Sequence, residues 1–282
     1  MGLAQPERKH REFDFRDDHF AFIRKTLFEN AGITLSEIKR DMVYSRLIRR
    51  IRALNLHTFD EYLNLLKKSP EREMVEFTNS LTTNLTSFFR ENHHFEYLRS
   101  TIFPELASRK RVRRLRIWSA GCSTGEEPYS LAITLKESMR CFPGWDVRIL
   151  ATDLDSNVVA TAQAGIYPRE RVEGLPKAVV SRWFNKGSGA LEGKVKVKAE
   201  LQELITFKQL NLMHSWPMKG PFDIIFCRNV VIYFNKETQR TLFSRYADYL
   251  DEKSFLIVGH SESLHGVTNQ FRLLGKTIYQ KT

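Results

Sequence analysis

The sequence predicts an α/β fold with a doubly wound, mostly parallel sheet and a small inserted β-subdomain, preceded by an all-α N-terminal domain. Three observations support this architecture. Apolar residues recur at helical spacing through the first 90 or so residues, without the alternation that is typical of strands. From residue 115 onward, short runs rich in Ile, Val and Phe alternate with helical stretches, which is typical of a parallel sheet covered on both faces. One glycine-punctuated stretch, 186–204, interrupts that alternation.

The N-terminal domain is predicted to span residues 1–92. Gly32 and Pro70 punctuate it. Its helical faces are marked by Phe20, Ile23, Leu27 and Phe28, by Val43, Leu47, Ile51 and Leu54, by Leu63 and Leu66, and by Met74, Phe77 and Leu81. Residues 93–114 are expected to form a linker, with a helix over 95–106 followed by a basic run.

The α/β domain is predicted to span residues 115–282. Its strands are expected at 115–120, 147–152, 222–227 and 254–259, and its helices at 128–139, 156–164 and 238–250. Within 186–204, Val195 and Val197 alternate with lysines after a glycine-rich segment. This stretch is therefore expected to form a small antiparallel hairpin inserted into the domain.

Charge and cysteine content restrict the class of protein. Lys and Arg number 44 against 33 Asp and Glu, a net charge of +11, which predicts an acidic partner: nucleic acid, an anionic membrane surface or an acidic protein face. The three cysteines form no CxxC pair and the histidines form no HExxH motif, so we expect a reduced, intracellular protein with no metal site. Residues 1–18 are too polar for a signal peptide, and no apolar run approaches the ~20 residues of a membrane span. We therefore expect a cytoplasmic protein.

The loop after the first predicted strand is the most informative segment. Gly121 and Gly125 form a G-x-x-x-G spacing rather than G-x-G-x-x-G, and Glu126 and Glu127 open the following helix. Carboxylates there would repel a pyrophosphate but tolerate a sulfonium cofactor with an amino group, which favours S-adenosylmethionine over a dinucleotide. The alternative is that both acids only complement the helix dipole.

Two further strand ends carry polar residues. Asp153 ends the second strand and is the candidate for the ribose hydroxyls, whereas Asp155 is the candidate cap of the next helix. Arg228 and Asn229 follow the apolar run 222–227, with Tyr233 four residues later. A ligand would satisfy these polar groups, although Tyr233 can equally be a core aromatic.

Five segments together resemble the CheR family, the chemotaxis receptor methyltransferases that methylate glutamate side chains of bacterial chemoreceptors. The resemblance extends from about residue 20 to residue 279, with the motifs in the family's order. The segments are TNLTSFFR at 83–90, STGEEPYS at 123–130, ATDLD at 151–155, CRNVVIYF at 227–234 and VGHSESL at 258–264.

This resemblance implies a fold, a cofactor and a set of site residues. It implies an α-helical domain, a linker and an S-adenosylmethionine-dependent methyltransferase domain with a β-subdomain, whose product is S-adenosylhomocysteine. Carried over by motif, Arg90 and Tyr233 would lie near the transferred methyl group as catalytic residues. The cofactor-binding residues would be Asn84, Thr86, Arg90, Glu127, Asp153, Asn211, Leu212, Arg228 and Asn229. Glu126 fits the motif as well as Glu127 does.

The resemblance also gives the charge an interpretation. Segments 39–54 and 99–116 hold local excesses of five and six positive charges, which together equal the whole net charge. On the first, Arg46, Arg49, Arg50 and Arg52 are the candidates for docking the acidic methylation region of a receptor, with an ordinary solvated face as the alternative. We expect both segments to lie beside the substrate entrance. In some family members the β-subdomain adds a receptor's C-terminal pentapeptide as an extra strand.

Other functions remain open at this stage. A nucleic-acid methyltransferase would suit the net charge, but no Asn-Pro-Pro-Tyr or Asp-Pro-Pro-Tyr segment is present. A module that binds receptor or cofactor without catalysis is the other alternative, against which Arg90, Glu127, Asp153 and Tyr233 argue.

Overall fold

The computed structural model describes residues 11–282. The expected absence of a signal peptide concerns residues 1–18, of which 1–10 lie outside the described residues. The chain divides into two compact units after Thr82. This division lies ten residues before the predicted end of the helical domain at residue 92. The reason is that residues 83–92 bond to the second unit: the Asn84 amide donates to Asp155, and the Phe89 N–H donates to Ser130.

The first unit is helical, as the periodicity predicts. Buried Ile23, Leu27, Val43, Leu47 and Phe77 form part of its core. The four α-helices described in it are α1 (Asp17–Ala31), α2 (Arg40–Ala53), α3 (Phe59–Lys68) and α4 (Pro70–Leu81). Gly32 ends α1 with a left-handed φ of 70°, and Thr58 caps α3 by accepting the Glu61 N–H.

The segment expected to be a linker is mostly helical. Helix α5 (His93–Tyr97) continues through a π-turn (Leu98–Ile102) into α6 (Phe103–Arg109). Its apolar face, including Phe95, Leu98 and Phe103, is buried in the core of the second unit. Only residues 110–113 are left as an irregular connection to the sheet.

The second unit is built on a seven-stranded sheet in the order β6-β2-β1-β7-β8-β10-β9. Neighbouring strands pair in parallel from β6 to β8, and β10 is antiparallel to both β8 and β9. The strands are β1 (Arg114–Ser119), β2 (Asp146–Asp153), β6 (Ile205–Gln209), β7 (Phe222–Cys227), β8 (Leu250–Val258), β9 (Phe271–Gly275) and β10 (Ile278–Lys281).

Both faces of this sheet are covered, which confirms the doubly wound α/β prediction. Leu115 and Ile117 of β1 lie in one apolar cluster and Trp118 in the other, because successive side chains of a strand point to opposite faces. The remaining helices are α7 (Glu126–Glu137), α8 (Ser156–Ala164), α9 (Lys177–Trp183), α10 (Ala199–Gln202) and α11 (Lys236–Tyr249).

The inserted β-subdomain is larger than the predicted hairpin. Three antiparallel strands, β3 (Ile166–Pro168), β4 (Phe184–Lys186) and β5 (Lys194–Val197), pair in the order β3-β5-β4. The prediction at 186–204 was therefore wrong in its extent, since the sheet begins at residue 166 and residues 199–202 are helical. A three-residue edge strand that ends in proline shows no alternation in the sequence, so β3 gave no signal.

The topology fixes where a ligand site can lie. Strand β1 pairs in parallel with β2 on one side and with β7 on the other, so the chain connections leave it in opposite directions. Ligands of such sheets bind outside the carboxyl ends of the strands at this switch point. Within residues 11–282, no helix combines the length and the apolar character that crossing a membrane requires.

Candidate functional site

The loop between β1 and α7 begins the site at the switch point. Its two positions occupied by glycine require that residue for different physical reasons. A Cβ on Gly121 would lie 2.3 Å from Cγ2 of Val230, so only glycine allows the β7 loop to approach this closely. Gly125 has a left-handed φ of 99°, and a Cβ there would lie 2.8 Å from the Tyr167 hydroxyl. Tyr167 in turn donates to the Thr124 carbonyl at 2.7 Å, which fixes the turn.

The Glu127 side chain lies under this loop and is almost completely buried. Its Oε1 accepts a 2.7 Å hydrogen bond from the Ser119 hydroxyl at the end of β1. Its Oε2 lies 3.5 Å from the Arg228 guanidinium, which follows β7. Burial raises the pKa of Glu127, and Arg228 opposes that shift. Glu127 thus connects the ends of β1 and β7 at the switch point.

Glu126 points to a different neighbour, although it adjoins Glu127 in sequence. Its fully buried carboxylate accepts the Thr124 hydroxyl at 2.6 Å and pairs with Arg171, which lies beside the β-subdomain. Both carboxylate oxygens therefore have partners away from Arg228. The arrangement favours Glu127 over Glu126 as the cofactor contact that the motif left open.

Asp153 ends β2, Asp155 lies two residues further along, and the two acids have different partners. Asp155 accepts the Asn157 N–H at 2.9 Å and so caps α8, as predicted. Asp153 accepts the Ser123 N–H at 2.8 Å and the Asp155 N–H at 3.1 Å. Burial raises the pKa of Asp153 to about 6 despite these donors. Asp153 therefore holds the turn after β1 and is a half-buried acid at the position where a ribose diol is expected.

Residues 83–92 run along the same edge of the sheet. Asn84 donates to Asp155 Oδ2 at 2.7 Å, and its carbonyl accepts the Ser123 hydroxyl at 2.8 Å. The Arg90 side chain donates to the Leu85 carbonyl at 2.8 Å, and the Arg90 carbonyl accepts from Arg228. Thr86 lies half-buried between these anchors. The structure thus places Asn84 and Arg90 on a segment that runs along the same edge as Asp153.

Arg228 is the central cation of this edge. Its side chain is only 2% exposed and lies near two carboxylates, Glu127 at 3.5 Å and Glu91 at 3.8 Å. The guanidinium carbon also lies 5.6 Å from the Phe95 ring centre. Arg228 therefore compensates two acids and binds the Arg90 carbonyl from one position.

Glu262 organises the turn that follows β7. Its carboxylate accepts the N–H groups of Gly259, Asn229 and Ile232 at 2.6, 2.9 and 3.3 Å. Burial raises the pKa of Glu262, and these three donors oppose the shift. The ends of β7 and β8 are thereby joined, and Asn229 is fixed at the edge next to Arg228.

The remaining predicted residues lie at the neighbouring strand ends. The Leu210 N–H donates to the Asp153 carbonyl at 2.8 Å. Leu210 therefore lies beside the end of β2, and Asn211 is the next residue in the chain. The Asn211 side chain accepts the Met213 N–H, whereas the Leu212 side chain is buried in an apolar cluster with Trp216. Tyr233 is half-buried and ends the short 3₁₀ turn Val231–Tyr233.

Four residues at this edge have left-handed backbone conformations without being glycine. They are Phe89, Glu91, Ser123 and Asn229, with φ between 47° and 58°. Such conformations cost on the order of 1–3 kcal/mol each and persist only where neighbouring contacts fix them. Their concentration around the switch point is typical of a functional site.

The electrostatics of the edge indicate the charge of its ligand. Burial raises the pKa of Glu127, Asp153 and Glu262, so a further negative charge at this edge would be unfavourable. A pyrophosphate would add such a charge, whereas a cationic ligand would not. The donor set therefore fits S-adenosylmethionine, whose sulfonium and amino groups are cationic.

One group of side chains has the donor atoms of a metal site. Among the described residues, the ligand atoms of Glu91, His93 and His94 lie within 4.8 Å of one another. Burial lowers the pKa of His94 to about 4, so its imidazole is neutral at pH 7. However, the Arg228 guanidinium lies against the same Glu91 carboxylate and would repel a cation. We assign no metal to this group.

Sequence reasoning gave no role to several residues that build the site. Glu262 and His260 follow the end of β8, so the rule that polar residues after strands line the site would have found them. Glu91 directly follows Arg90 but carried no separate signal. Ser119 lies within an apolar strand, where its contact with Glu127 depends on the tertiary structure.

The candidate docking arginines belong to the first unit, and their predicted outward stripe was partly wrong. Arg46 donates to the Leu81 and Thr82 carbonyls at the end of α4, at 2.9 and 2.6 Å. Arg50 makes two 2.7 Å bonds to buried Glu73. Both side chains are half-buried because the acid and the carbonyls lie within the same unit. Arg49 is exposed, and Arg52 pairs with Glu12 while 57% of its side chain stays exposed.

The second basic segment also differs from its prediction. Lys110 pairs with buried Asp223, and Arg116 pairs with Asp146. Arg111 and Arg113 are exposed, but they precede β1 and so lie at the amino end of the strand. That end is about 20 Å from the carboxyl end of a six-residue strand. The expectation that this segment lies beside the substrate entrance was therefore wrong.

Two protein-family models match this chain. The model described as "CheR methyltransferase, SAM binding domain" matches residues 84–280, and the model described as "CheR methyltransferase, all-alpha domain" matches residues 18–82. Together they cover both structural units.

Individual relatives match over nearly their whole length. Chemotaxis protein methyltransferase 2 of Pseudomonas aeruginosa is 44% identical over 273 residues, which are 96% of this chain and 95% of that protein. The chemotaxis protein methyltransferase of Escherichia coli is 44% identical over 93% of this chain and 90% of that protein. A probable chemotaxis protein methyltransferase of Rhizobium etli is 44% identical over 91% of this chain and 97% of that protein. The chain therefore belongs to the CheR methyltransferase family, and S-adenosylmethionine is its cofactor.

Proposed function

We propose that this protein transfers a methyl group from S-adenosylmethionine to glutamate side-chain carboxylates of bacterial chemoreceptors, forming methyl esters. This would make it a protein-glutamate O-methyltransferase. The proposal rests on how the acidic and basic side chains at the carboxyl ends of the strands differ in their partners. The acids Glu127, Asp153 and Glu262 all accept hydrogen bonds from the protein, whereas the side chain of the half-buried cation Arg90 donates to a backbone carbonyl. The names of the relatives, which are chemotaxis protein methyltransferases, agree with a receptor substrate.

This arrangement suits a nucleophile that is already charged. A glutamate carboxylate is ionised at neutral pH, so it needs no general base but does need positioning and removal of water. The Arg90 guanidinium can form a two-pronged hydrogen bond to a carboxylate. Its present bond to the Leu85 carbonyl orients it without neutralising it. The Tyr233 hydroxyl is the second group that we propose orients a reacting oxygen.

The bound cofactor supplies the electrophilic methyl group, and the protein's residues hold the cofactor in place. We propose that Asp153 accepts the ribose hydroxyls and that Glu127 faces a cationic end of the cofactor. Asn84, Thr86, Asn229 and the Arg228 backbone would line the same edge, and Asn211 with the Leu212 backbone would frame the adenine. The hydrogen bonds that fix Asp153 and Asn84 to the β1–α7 loop support these roles.

We further propose that the receptor docks through exposed basic residues of the first unit. Arg49 and Arg52 carry this role, since Arg46 and Arg50 are used within the unit. The edge strands β3 and β4 of the small sheet are suited to adding a receptor tail pentapeptide as a further strand. Calorimetry with a free pentapeptide tests this second contact, and the absence of both heat and competition would contradict it.

The decisive experiment uses methyl-labelled S-adenosylmethionine and chemoreceptor-containing membranes. We expect label on the receptor that base releases, which identifies a methyl ester. Label on RNA or DNA alone would contradict the proposal in favour of nucleic-acid methylation. Cofactor binding without any transfer would contradict it in favour of a docking module.

Two variants test the assigned roles. We expect Arg90→Ala and Tyr233→Phe to lower turnover more than they weaken cofactor binding. Arg99→Ala is the matched control for Arg90, because Arg99 is an exposed arginine whose one ion pair, with Glu137, spans 3.6 Å. If cofactor affinity alone changes in the first two variants, these residues only bind the cofactor.

A further inference from the structure

Glu91 occupies a connecting position at the edge of the sheet that the proposed mechanism does not use. Its Oε1 lies 3.0 Å from the His260 ring nitrogen Nδ1, and its Oε2 accepts the His260 N–H at 3.1 Å. The same carboxylate lies 3.8 Å from Arg228. These contacts lower the pKa of Glu91 against the opposing effect of its burial. The carboxylate therefore stays charged and holds the β7 and β8 ends from the segment that carries Arg90.

Arg228 transmits this contact to Arg90. One guanidinium nitrogen of Arg228 donates to the Arg90 carbonyl, and another lies 3.5 Å from Glu127. The side chain has almost no exposed surface. Arg228 is thus clamped between Glu91 and Glu127, and the position of the Arg90 backbone depends on where these two acids hold it.

The backbone around Arg90 requires such support. Phe89 and Glu91, on either side of Arg90, have left-handed φ values of 52° and 55°. Without side-chain anchors, non-glycine residues relax out of this region. Phe89 is anchored by its N–H to Ser130 at 2.9 Å. On the other side of Arg90, the Glu91 carboxylate contacts His260 and Arg228, and the Glu91 carbonyl accepts the His94 N–H at 3.0 Å.

We propose that Glu91 is a positioning residue: through Arg228 and His260 it keeps residues 89–91 in the strained conformation that points Arg90 at the methyl-transfer site. This inference rests on the proposed function, in which Arg90 orients the substrate carboxylate. Removal of the negative charge leaves Arg228 with Glu127 alone and releases the second anchor. Arg90 then loses its orientation while the cofactor contacts at Asp153 and Glu127 persist.

The test substitution is Glu91→Gln, with Glu96→Gln as the matched control on the exposed face of the adjoining helix. We expect Glu91→Gln to lower kcat for receptor methylation about tenfold or more, the scale typical of small misplacements of a catalytic group. We expect the S-adenosylhomocysteine dissociation constant to change less than about threefold, which is about half of the binding free energy that a tenfold change represents. The control is expected to match the wild type in both. An unchanged kcat, or a loss of cofactor affinity equal to the loss of kcat, would overturn the positioning role.

The His260 contact gives a second variant, for which we expect little change in folding stability because that side chain is 67% exposed. We expect His260→Ala to lower kcat in the same direction by a smaller factor. The double variant with Glu91→Gln is expected to be no slower than Glu91→Gln alone. The reason is that both substitutions act on the same contact, the one between the Glu91 carboxylate and the His260 ring. Fully multiplicative losses would contradict the shared contact.

Hydrogen exchange separates this proposal from the proposed function. We expect amides in residues 83–92 to exchange faster in Glu91→Gln than in the wild type or Glu96→Gln, whatever the substrate. If the wild type methylates no carboxylate, the proposed function fails, even if exchange in this segment responds. If the wild type is active and both kcat and exchange are unchanged in Glu91→Gln, only the role of Glu91 fails.

Discussion

Lowering the pH from 7 to 5 should weaken cofactor binding through Asp153. Burial raises the pKa of this carboxyl from 3.8 to about 6, and we propose that its ionised form accepts the ribose hydroxyls. With a pKa of about 6, the ionised fraction falls from about 90% at pH 7 to about 9% at pH 5. The affinity should therefore fall about tenfold, which corresponds to about 1.4 kcal/mol. Burial also raises the pKa of Glu127, which adds to the loss in the same direction.

Isothermal titration calorimetry with S-adenosylhomocysteine measures this dependence. The α-amino and α-carboxyl groups of the ligand both titrate outside the interval from pH 5 to pH 7. The protein should remain folded at pH 5. Carboxyls whose pKa the fold lowers, such as Glu91 and Asp146, lose their stabilising charge only as the pH falls through those lowered values. Protonation of the carboxyls with raised pKa favours the folded state at acid pH, whereas His94, whose pKa burial lowers from 6.5 to about 4, opposes it below about pH 6.5.

The Asp153→Asn variant is the control for this assignment. It should bind weakly at both pH values, with a smaller difference between them than the wild type shows. A wild-type affinity that changes less than about threefold would refute the role of Asp153. A variant that keeps the full wild-type pH dependence would also refute it, because the titration would then belong to another group such as Glu127.

Three further changes have expected outcomes. Gly125→Ala should destabilise the folded protein by about 2–5 kcal/mol, because φ is 99° and the new Cβ would lie 2.8 Å from Ala162 and Tyr167; a denaturant midpoint equal to the wild type's would contradict this. Glu73→Gln should lower the free energy of unfolding by about 1–3 kcal/mol, because the buried carboxylate accepts two hydrogen bonds from Arg50 and one from the Tyr62 hydroxyl. An unchanged free energy of unfolding in chemical denaturation would show that these bonds make no net contribution to stability. Arg49→Glu should slow receptor methylation at low salt and approach the wild-type rate at high salt, with cofactor affinity unchanged; equal rates at low salt would remove Arg49 from the docking surface.

Much of the fold could be predicted because its signals are local. Helix α8 lies at 156–164 and strand β7 at 222–227, as the apolar patterns predicted. The strands β3, β9 and β10 gave no usable signal, because they are short and partly exposed. The partner of β3 is β5, which lies almost 30 residues further along the chain. Residues 83–92 show the same limitation, since their anchors on Ser123, Ser130 and Asp155 are separated from them by many residues.

The sequence by itself determined the fold class, the cofactor and the motifs of the site. The reason is that glycine spacing, strand ends and the positions of acids can be recognised within short continuous segments of the chain. The tertiary structure decided which charged residues pair with each other. It placed Glu127 beside Arg228 and Glu126 beside Arg171, although the two acids are neighbours in the chain. It also paired Arg50 with Glu73 and Lys110 with Asp223, which removed part of the predicted basic surface. Burial and pairing depend on segments that fold together from far apart, and residue type alone does not specify them.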